Sequence, residues 1–305
     1  MVKRHINDQP VNDEGSKIPE ILFITSYPPR ECGIATYSQD LVRALNNKFN
    51  QSFKLSVCPV ETDSERHEYG DDIKHILNTD YPDAFKTLAK VINDTDSIRV
   101  VMIQHEFGLF KNNEDLFYGF LYSVKKPVVI AFHTVLPHPD ESVKKKVQEI
   151  ADACNAVVVM THTSANVLFD DYGIMKEKIT VIPHGTHLVA HTDKKFLKKK
   201  YKLTGKKVLS TFGLLSSGKN IETTLSALPA IVKENPDVLF LIIGKTHPSV
   251  IKQEGEAYRK MLEAKVAELQ LNPYVKFINY FLPLADLLEY LQLTDIYLFT
   301  SRDPN

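Results

Sequence analysis

Four short stretches combine residue types that could do chemistry. The sharpest is Ser210–Glu222, STFGLLSSGKNIE, which joins an apolar strand to an amphipathic helix. It has the makings of a phosphate cradle. Gly213 and Gly218 permit tight turns, Ser216 and Ser217 offer hydroxyl donors, and Lys219 puts a cation where a helix N-terminus already favours an anion. The alternative reading is a solvent-facing lysine beside a turn. A Walker A loop is excluded: in GLLSSGKN, Asn220 stands where that motif has the Ser or Thr that would hold magnesium. The second stretch, QHEFGLF, sets His105 and Glu106 directly after an apolar strand, where ionisable side chains are seldom left without partners. In the third, FHTVLPHP, His133 follows PVVIAF; it could donate a hydrogen bond to a sugar hydroxyl or an oxyanion, or be a packed or capping histidine. The fourth, TSYPPRECGIAT, has Gly33 just before a helix, where backbone could approach a ligand or simply turn. No GxGxxG fingerprint is present, which counts against a nicotinamide enzyme.

The elements that must position these loops alternate between apolar runs and helical periodicity, the signature of parallel βαβ construction. Strands are expected at Ile21–Thr25, Phe53–Val57, Arg99–Gln104, Val128–Phe132, Ala156–Met160 and Lys178–Ile182, with helices around 35–47, 82–93, 114–124, 141–153 and 162–172. The pattern breaks at HGTHLVAHTD and resumes as strands Val208–Phe212, Val238–Ile243, Val275–Ile278 and Ile296–Thr300. Between these, helices are expected from Asn220 to Glu234, Glu256 to Leu269 and Leu284 to Leu291. The expected domains are therefore 1–190 and 191–305, both α/β with doubly wound parallel sheets, the second incomplete. Ligands of such sheets lie beyond the carboxyl ends of the strands, where all four loops fall.

Composition narrows the function classes. Lys and Arg number 37 against 38 Asp and Glu, so there is no general reason to expect nucleic acid, and any anion site must be local. Cys32, Cys58 and Cys154 form no CxxC pair, which argues against structural zinc and a disulfide framework. No DxD pair at a strand end or histidine cluster suggests a metal, and His184 and His187 lie near the domain hinge without acidic neighbours in sequence. The polar N-terminus and the absence of a long apolar run lead to a cytoplasmic expectation with a frayed tail. Lys194–Lys207 holds eight lysines in fourteen positions, read as a solvated linker helix or, alternatively, a peripheral contact with anionic lipid or a polyanionic acceptor.

In order and spacing, ILFITSYPPRECGIATYSQDL, QHEFGLF, the histidine of AFHTV, KITVIPHGT, TFGLLSSGKNIETTLSAL and VKFINYFLPLADLLEYLQLTDIYLFTS resemble the family 4 retaining glycosyltransferases of GT-B fold. The resemblance covers nearly the whole chain. It implies two Rossmann-like domains with a nucleotide-diphosphate sugar bound between them, the nucleotide held mainly by the second. It further implies transfer of a hexose, mannose or glucose, to a glycan or lipid-linked acceptor, with no cofactor, no metal and retention of configuration. On this sequence, Gly33 would approach donor phosphate or sugar, His133 would contact the sugar near the reacting centre, and Lys219 would bind the diphosphate. Gly244, Lys245, Tyr280 and Phe281 would border the base, and His105 and Glu106 would be possible acceptor or sugar contacts. Two departures matter: Leu214 stands where many relatives have arginine, and the paired-glutamate segment (E-x7-E) would begin about Ser301–Asn305, where the given sequence ends. Two rival readings remain, a catalytically silent binding fragment and a sugar-nucleotide epimerase.

Overall fold

The structure, a computed structural model, describes residues 18–49, 52–111 and 113–302; the expected N-terminal tail before Ile18 and the last expected positions, Asp303–Asn305, lie outside it. The chain divides into two compact units, Met1–Gly185 and Thr186–Asn305.

Unit 1 runs β1 (Glu20–Thr25), α1 (Gly33–Phe49), β2 (Lys54–Glu61), β3 (Leu77–Asn78), α2 (Pro82–Asp94), β4 (Ile98–His105), α3 (Phe107–Phe110), α4 (Glu114–Ser123), β5 (Val128–Phe132), α5 (Glu141–Ala153), β6 (Ala156–Val159), α6 (His162–Asp170) and β7 (Ile179–Val181). The sheet order is β3-β2-β1-β4-β5-β6-β7, parallel throughout, so strand order reverses between β1 and β4. Helices on both faces bury Leu22, Ile24, Val101, Ile103 and Ile130 almost completely.

Unit 2 runs α7 (Lys194–Lys200), β8 (Lys207–Phe212), α8 (Ile221–Glu234), β9 (Val238–Ile243), α9 (Pro248–Glu254), α10 (Ala257–Glu268), β10 (Val275–Ile278), α11 (Leu284–Leu293) and β11 (Ile296–Tyr297). Its parallel sheet has the order β10-β9-β8-β11, with the reversal between β8 and β11. The central β9, VLFLII, is buried at every position, as a strand covered on both faces requires.

Three expectations are corrected. The strand expected over Ile296–Thr300 pairs for only two residues; Leu298 N–H still donates to the Ser210 carbonyl (2.8 Å), after which the chain leaves the sheet for the turn ahead of α8. The lysine stretch is not a linker. Only Lys194–Lys200 is helical, Leu197 is fully buried among unit 2's own residues, Lys194 and Lys198 reach Asp295 (3.1 and 2.5 Å), and Lys200 pairs with Glu289.

The third correction concerns His105. In the β4–β5 ladder Gln104 faces Ala131 and His105 faces Phe132. Because side chains alternate across a strand, His105 turns into the unit 1 core, 3% exposed, with Phe107 and Phe132 edge-on (5.3 and 5.0 Å) and Phe110 and Phe117 stacked (5.8 and 5.9 Å). It is a core residue, not an acceptor contact. Burial, with His133 adding a smaller effect, pushes its pKa down to about 3, and its Nδ1 has no partner among the described residues. A histidine held neutral in the fold but free to protonate near pH 6.5 when unfolded stabilises fully above 6.5 and loses that contribution as pH falls toward 3. Urea unfolding should therefore show a loss on the order of a few kcal/mol between pH 7 and pH 4, and His105→Phe should flatten that loss while leaving stability at pH 7 unchanged or higher.

Candidate functional site

In unit 1 the reversal of strand order directs attention to the carboxyl ends of β1, β4 and β5. After β1, the Pro28–Pro29 peptide is cis, and Cys32 closes the turn: its Sγ accepts from Ala35 N–H (3.3 Å) and lies 3.2 Å from Ser26 Oγ. Gly33 opens α1, is exposed, and a Cβ there would meet nothing within 4 Å. Neither its conformation nor its packing demands glycine. One turn further on, Tyr37 places its ring edge-on to His133 (5.0 Å) and to His184 (5.2 Å), and the two histidine rings are 6.4 Å apart.

His133 continues the β5 ladder by one residue, donating its N–H to the His105 carbonyl (3.0 Å). Alternation then sends its side chain to the face of Ala131 and Gln104, and Nε2 sits 2.8 Å from Gln104 Oε1. Burial first, then the neighbouring His184, lowers its pKa to about 4, so the ring is neutral near pH 7. Glu106 fastens this edge: one carboxylate oxygen accepts from Phe107 N–H (3.1 Å) and caps α3, and the other accepts from Thr134 Oγ1 (2.6 Å). Its role in the fold is to tie the loop after β4 to the residue beside His133. Gln104, Tyr37 and His184 join His133 here although motif reading did not select Gln104 or Tyr37. The period-2 alternation, combined with the ladder register, is the signal that would have found Gln104.

In unit 2 the reversal lies between β8 and β11, and the loop carrying Lys219 leaves the carboxyl end of β8. Gly213 (φ +135°) and Gly244 (φ +127°) both hold conformations that side chains resist. A Cβ on Gly244 would lie 2.1 Å from the Gly213 carbonyl oxygen, so the two backbones pass in direct contact. Bonds from Gly213 N–H to Ile243 (3.0 Å), Leu215 N–H to Lys245 (2.8 Å) and Gly244 N–H to Ile278 (2.8 Å) carry the ladder past the strand ends. Gly218, in contrast, has an ordinary φ and room for a methyl group, so the expected tight turn there does not depend on it.

The helix expected from Asn220 is preceded by a 3₁₀ turn over Ser217–Lys219, and Asn220 takes a left-handed conformation before α8 begins at Ile221. The Ile221 N–H is already taken by the Tyr258 hydroxyl (3.0 Å), which itself donates to Glu222 (2.8 Å). Any anion would thus meet the 3₁₀ turn rather than that first helical amide. Thr300 Oγ1 donates to the Lys219 carbonyl (2.9 Å), Asn220 Nδ2 to the Thr300 carbonyl (3.1 Å), and Arg302 N–H to the Gly218 carbonyl (3.0 Å). Buried Thr246 bonds to Glu256, which also holds Arg259, and so anchors the loop after β9. The Lys219 side chain lies over Gly213, its Cε and Nζ each 3.4 Å from where a Gly213 Cβ would stand, and no carboxylate among the described residues pairs with it. Ser216 is extended and half-buried, Ser217 is exposed, and Tyr280 and Phe281, after β10, are 52% and 37% exposed. Among the described residues no group of three or more His, Cys, Asp or Glu could hold a metal ion, and no helix is long and apolar enough to cross a membrane.

The family model described as Glycosyltransferase Family 4 matches residues 32–190, and that described as Glycosyl transferases group 1 matches residues 193–303. Mannosylfructose-phosphate synthase of Agrobacterium fabrum is 23% identical over 168 residues, 52% of this chain and 36% of that protein, so the chain aligns to little more than a third of that curated relative's length. Among solved structures, Anabaena Alr3699/HepE in complex with UDP and glucose has a TM-score of 0.65 at 15% identity, covering 94% of this chain and 75% of that one. A glycosyltransferase from Rickettsia africae gives 0.66 at 17% (95% and 75%), and sucrose-phosphate synthase from Thermosynechococcus elongatus 0.65 at 14% (93% and 75%). These likenesses show the fold: two Rossmann-like parallel-sheet units of GT-B type, the second with the smaller sheet.

The glycines separate cleanly in their expected tolerance. Gly244→Ala should destabilise the protein by roughly 3 kcal/mol in denaturant unfolding, from backbone strain plus the clash with Gly213. Gly33→Ala and Gly218→Ala should each stay within about 0.5 kcal/mol of the parent.

Proposed function

Because the chain belongs to glycosyltransferase family 4, we propose that it is a hexosyltransferase that takes a nucleoside-diphosphate sugar as donor and binds its diphosphate at the turn carrying Lys219. The observation that carries this reading is the placement of Lys219, laid over Gly213 at the carboxyl end of β8 without a carboxylate partner among the described residues. Breaking the bond from the anomeric carbon to the diphosphate oxygen leaves positive charge on the sugar and negative charge on the departing phosphate. The useful catalyst is therefore a cation fixed in place beforehand. At about 4 Å and an effective dielectric near 20, one such pair contributes about 4 kcal/mol before desolvation.

Leu214 removes one of the two cations customary in the resemblance. Arg302, whose backbone is bonded to Gly218, is the residue we assign as its substitute. His133 contacts the transferred hexose, for which mannose and glucose are the leading candidates, and a glycan or lipid-linked molecule is the acceptor. Retention of configuration, independence from metal and a cytoplasmic setting belong to the same reading. The bound UDP and UDP-glucose of the Anabaena structures support a nucleotide-sugar donor for this chain. The lysine stretch adds little to a lipid contact, since Lys194, Lys198 and Lys200 are spent on Asp295 and Glu289.

Calorimetry against UDP, GDP and ADP tests the diphosphate seat. One of the three should bind, Lys219→Ala should weaken it by about ten- to a hundredfold, and Arg302→Ala by a smaller factor. Indifference of every nucleoside diphosphate affinity to Lys219→Ala would sink the reading. Product analysis that found isomerised donor without transfer would replace it with an epimerase.

A further inference from the structure

Gln104 is wholly buried at the penultimate position of β4. Its Oε1 accepts a hydrogen bond from His133 Nε2 at 2.8 Å, while its own Nε2 has no partner among the described residues. A buried carboxamide with an unpaired N–H₂ is unfavourable, and packing alone would favour an apolar side chain of similar size. The compensation lies in what the carboxamide does to the histidine. An amide oxygen accepts and never donates, so the ring nitrogen facing it must carry the proton. The proton count of a neutral ring then leaves Nδ1 bare. No hydrogen-bond partner of that nitrogen is found among the described residues. The groups against the ring are the Tyr37 edge and His184, and no carboxylate pairs with it to favour a second proton.

We propose that Gln104 is a positioning residue that locks His133 in its Nε2–H tautomer, so that Nδ1 is offered to the donor sugar as a hydrogen-bond acceptor. The inference rests on the reading of His133 as a sugar contact and deepens it into a rule of selection. A neutral hexosyl group supplies a hydroxyl proton to Nδ1. A hexuronosyl group, which offers a carboxylate in place of a hydroxyl, meets a lone pair and is disfavoured.

The test uses the full chain labelled with ¹⁵N-histidine, the His133 resonances being assigned by their loss in His133→Gln. Long-range ¹H–¹⁵N spectra at pH 7 should show His133 as the Nε2–H tautomer. In Gln104→Met, which keeps volume and removes the acceptor, the signals should move to a mixture or to Nδ1–H, whereas Gln104→Glu, which keeps an accepting oxygen, should retain the proton on Nε2. An Nδ1–H ring in the parent protein, or an unchanged tautomer in Gln104→Met with unchanged thermal unfolding, overturns the lock. Calorimetry with the glucose and glucuronate conjugates of whichever of UDP, GDP and ADP binds should show a preference for the neutral sugar that shrinks at least tenfold in Gln104→Met. Equal affinity for the two in the parent protein overturns the selection rule. Failure of the underlying donor reading looks different: none of UDP, GDP and ADP binds, and neither do their sugar conjugates, while the tautomer result stands.

Discussion

In the parallel ladder of β4 and β5, Gln104 faces Ala131 and His105 faces Phe132, and one further bond, from His133 N–H to the His105 carbonyl, extends the pairing past the end of β5. This register assigns two adjacent polar side chains to opposite fates. His105 goes to the side packed by α3 and α4, where Phe110 and Phe117 enclose it. Gln104 goes to the side where α1 presents Tyr37 and where His133 emerges. A slip of one residue would exchange them, placing a carboxamide among phenylalanines and an imidazole against an imidazole. Which side chains this edge offers thus depends on the backbone pairing of β4 with β5.

Unit 2 works under a related constraint. Past the ends of β8 and β9 the backbones of Gly213 and Gly244 touch, and only residues without a Cβ fit that contact at these φ values. The contact allows Leu215 to pair with the chain after β9, which in turn fixes where the 3₁₀ turn and Lys219 begin. Side chains at the start of α10 and from its N-cap residue hold the arrangement: Tyr258 at the first amide of α8, and Glu256, paired with Arg259, at Thr246. Such polar scaffolding fixes the turn in one geometry.

The long elements were legible because each is a buried apolar run or a full amphipathic period. Val128–Phe132, Val238–Ile243 and helix 141–153 stand where the pattern puts them. The short ones were not. Leu77–Asn78 and Phe107–Phe110 are set by tertiary partners rather than by a period, and a two- or four-residue element has no period to read. Site loops announced themselves through glycine, proline and histidine at strand ends, yet punctuation does not say which glycine is indispensable or which face a histidine takes. Gly218 stands inside the motif and is conformationally ordinary, whereas Gly244, outside any motif but near one, carries the constraint. His105 and His133 look alike in sequence and differ only through register.

Charge runs show the same limit from another side. The lysines of 194–200 invite a reading as a solvated or lipid-facing surface because their counterions are invisible locally; Asp295 and Glu289 lie 89–101 residues away in sequence. Once those pairs are seen, the contrast with Lys219 gains meaning. Lys195 and Lys199 also lack carboxylate partners among the described residues, but they are exposed, where water solvates an ammonium at no cost to the fold. Lys219 is half-buried, its carbonyl tied to Thr300 and its side chain laid along Gly213. It stands at the strand end where order reverses and ligands of open parallel sheets bind. On the donor reading proposed above, a diphosphate is the anion that this turn would receive.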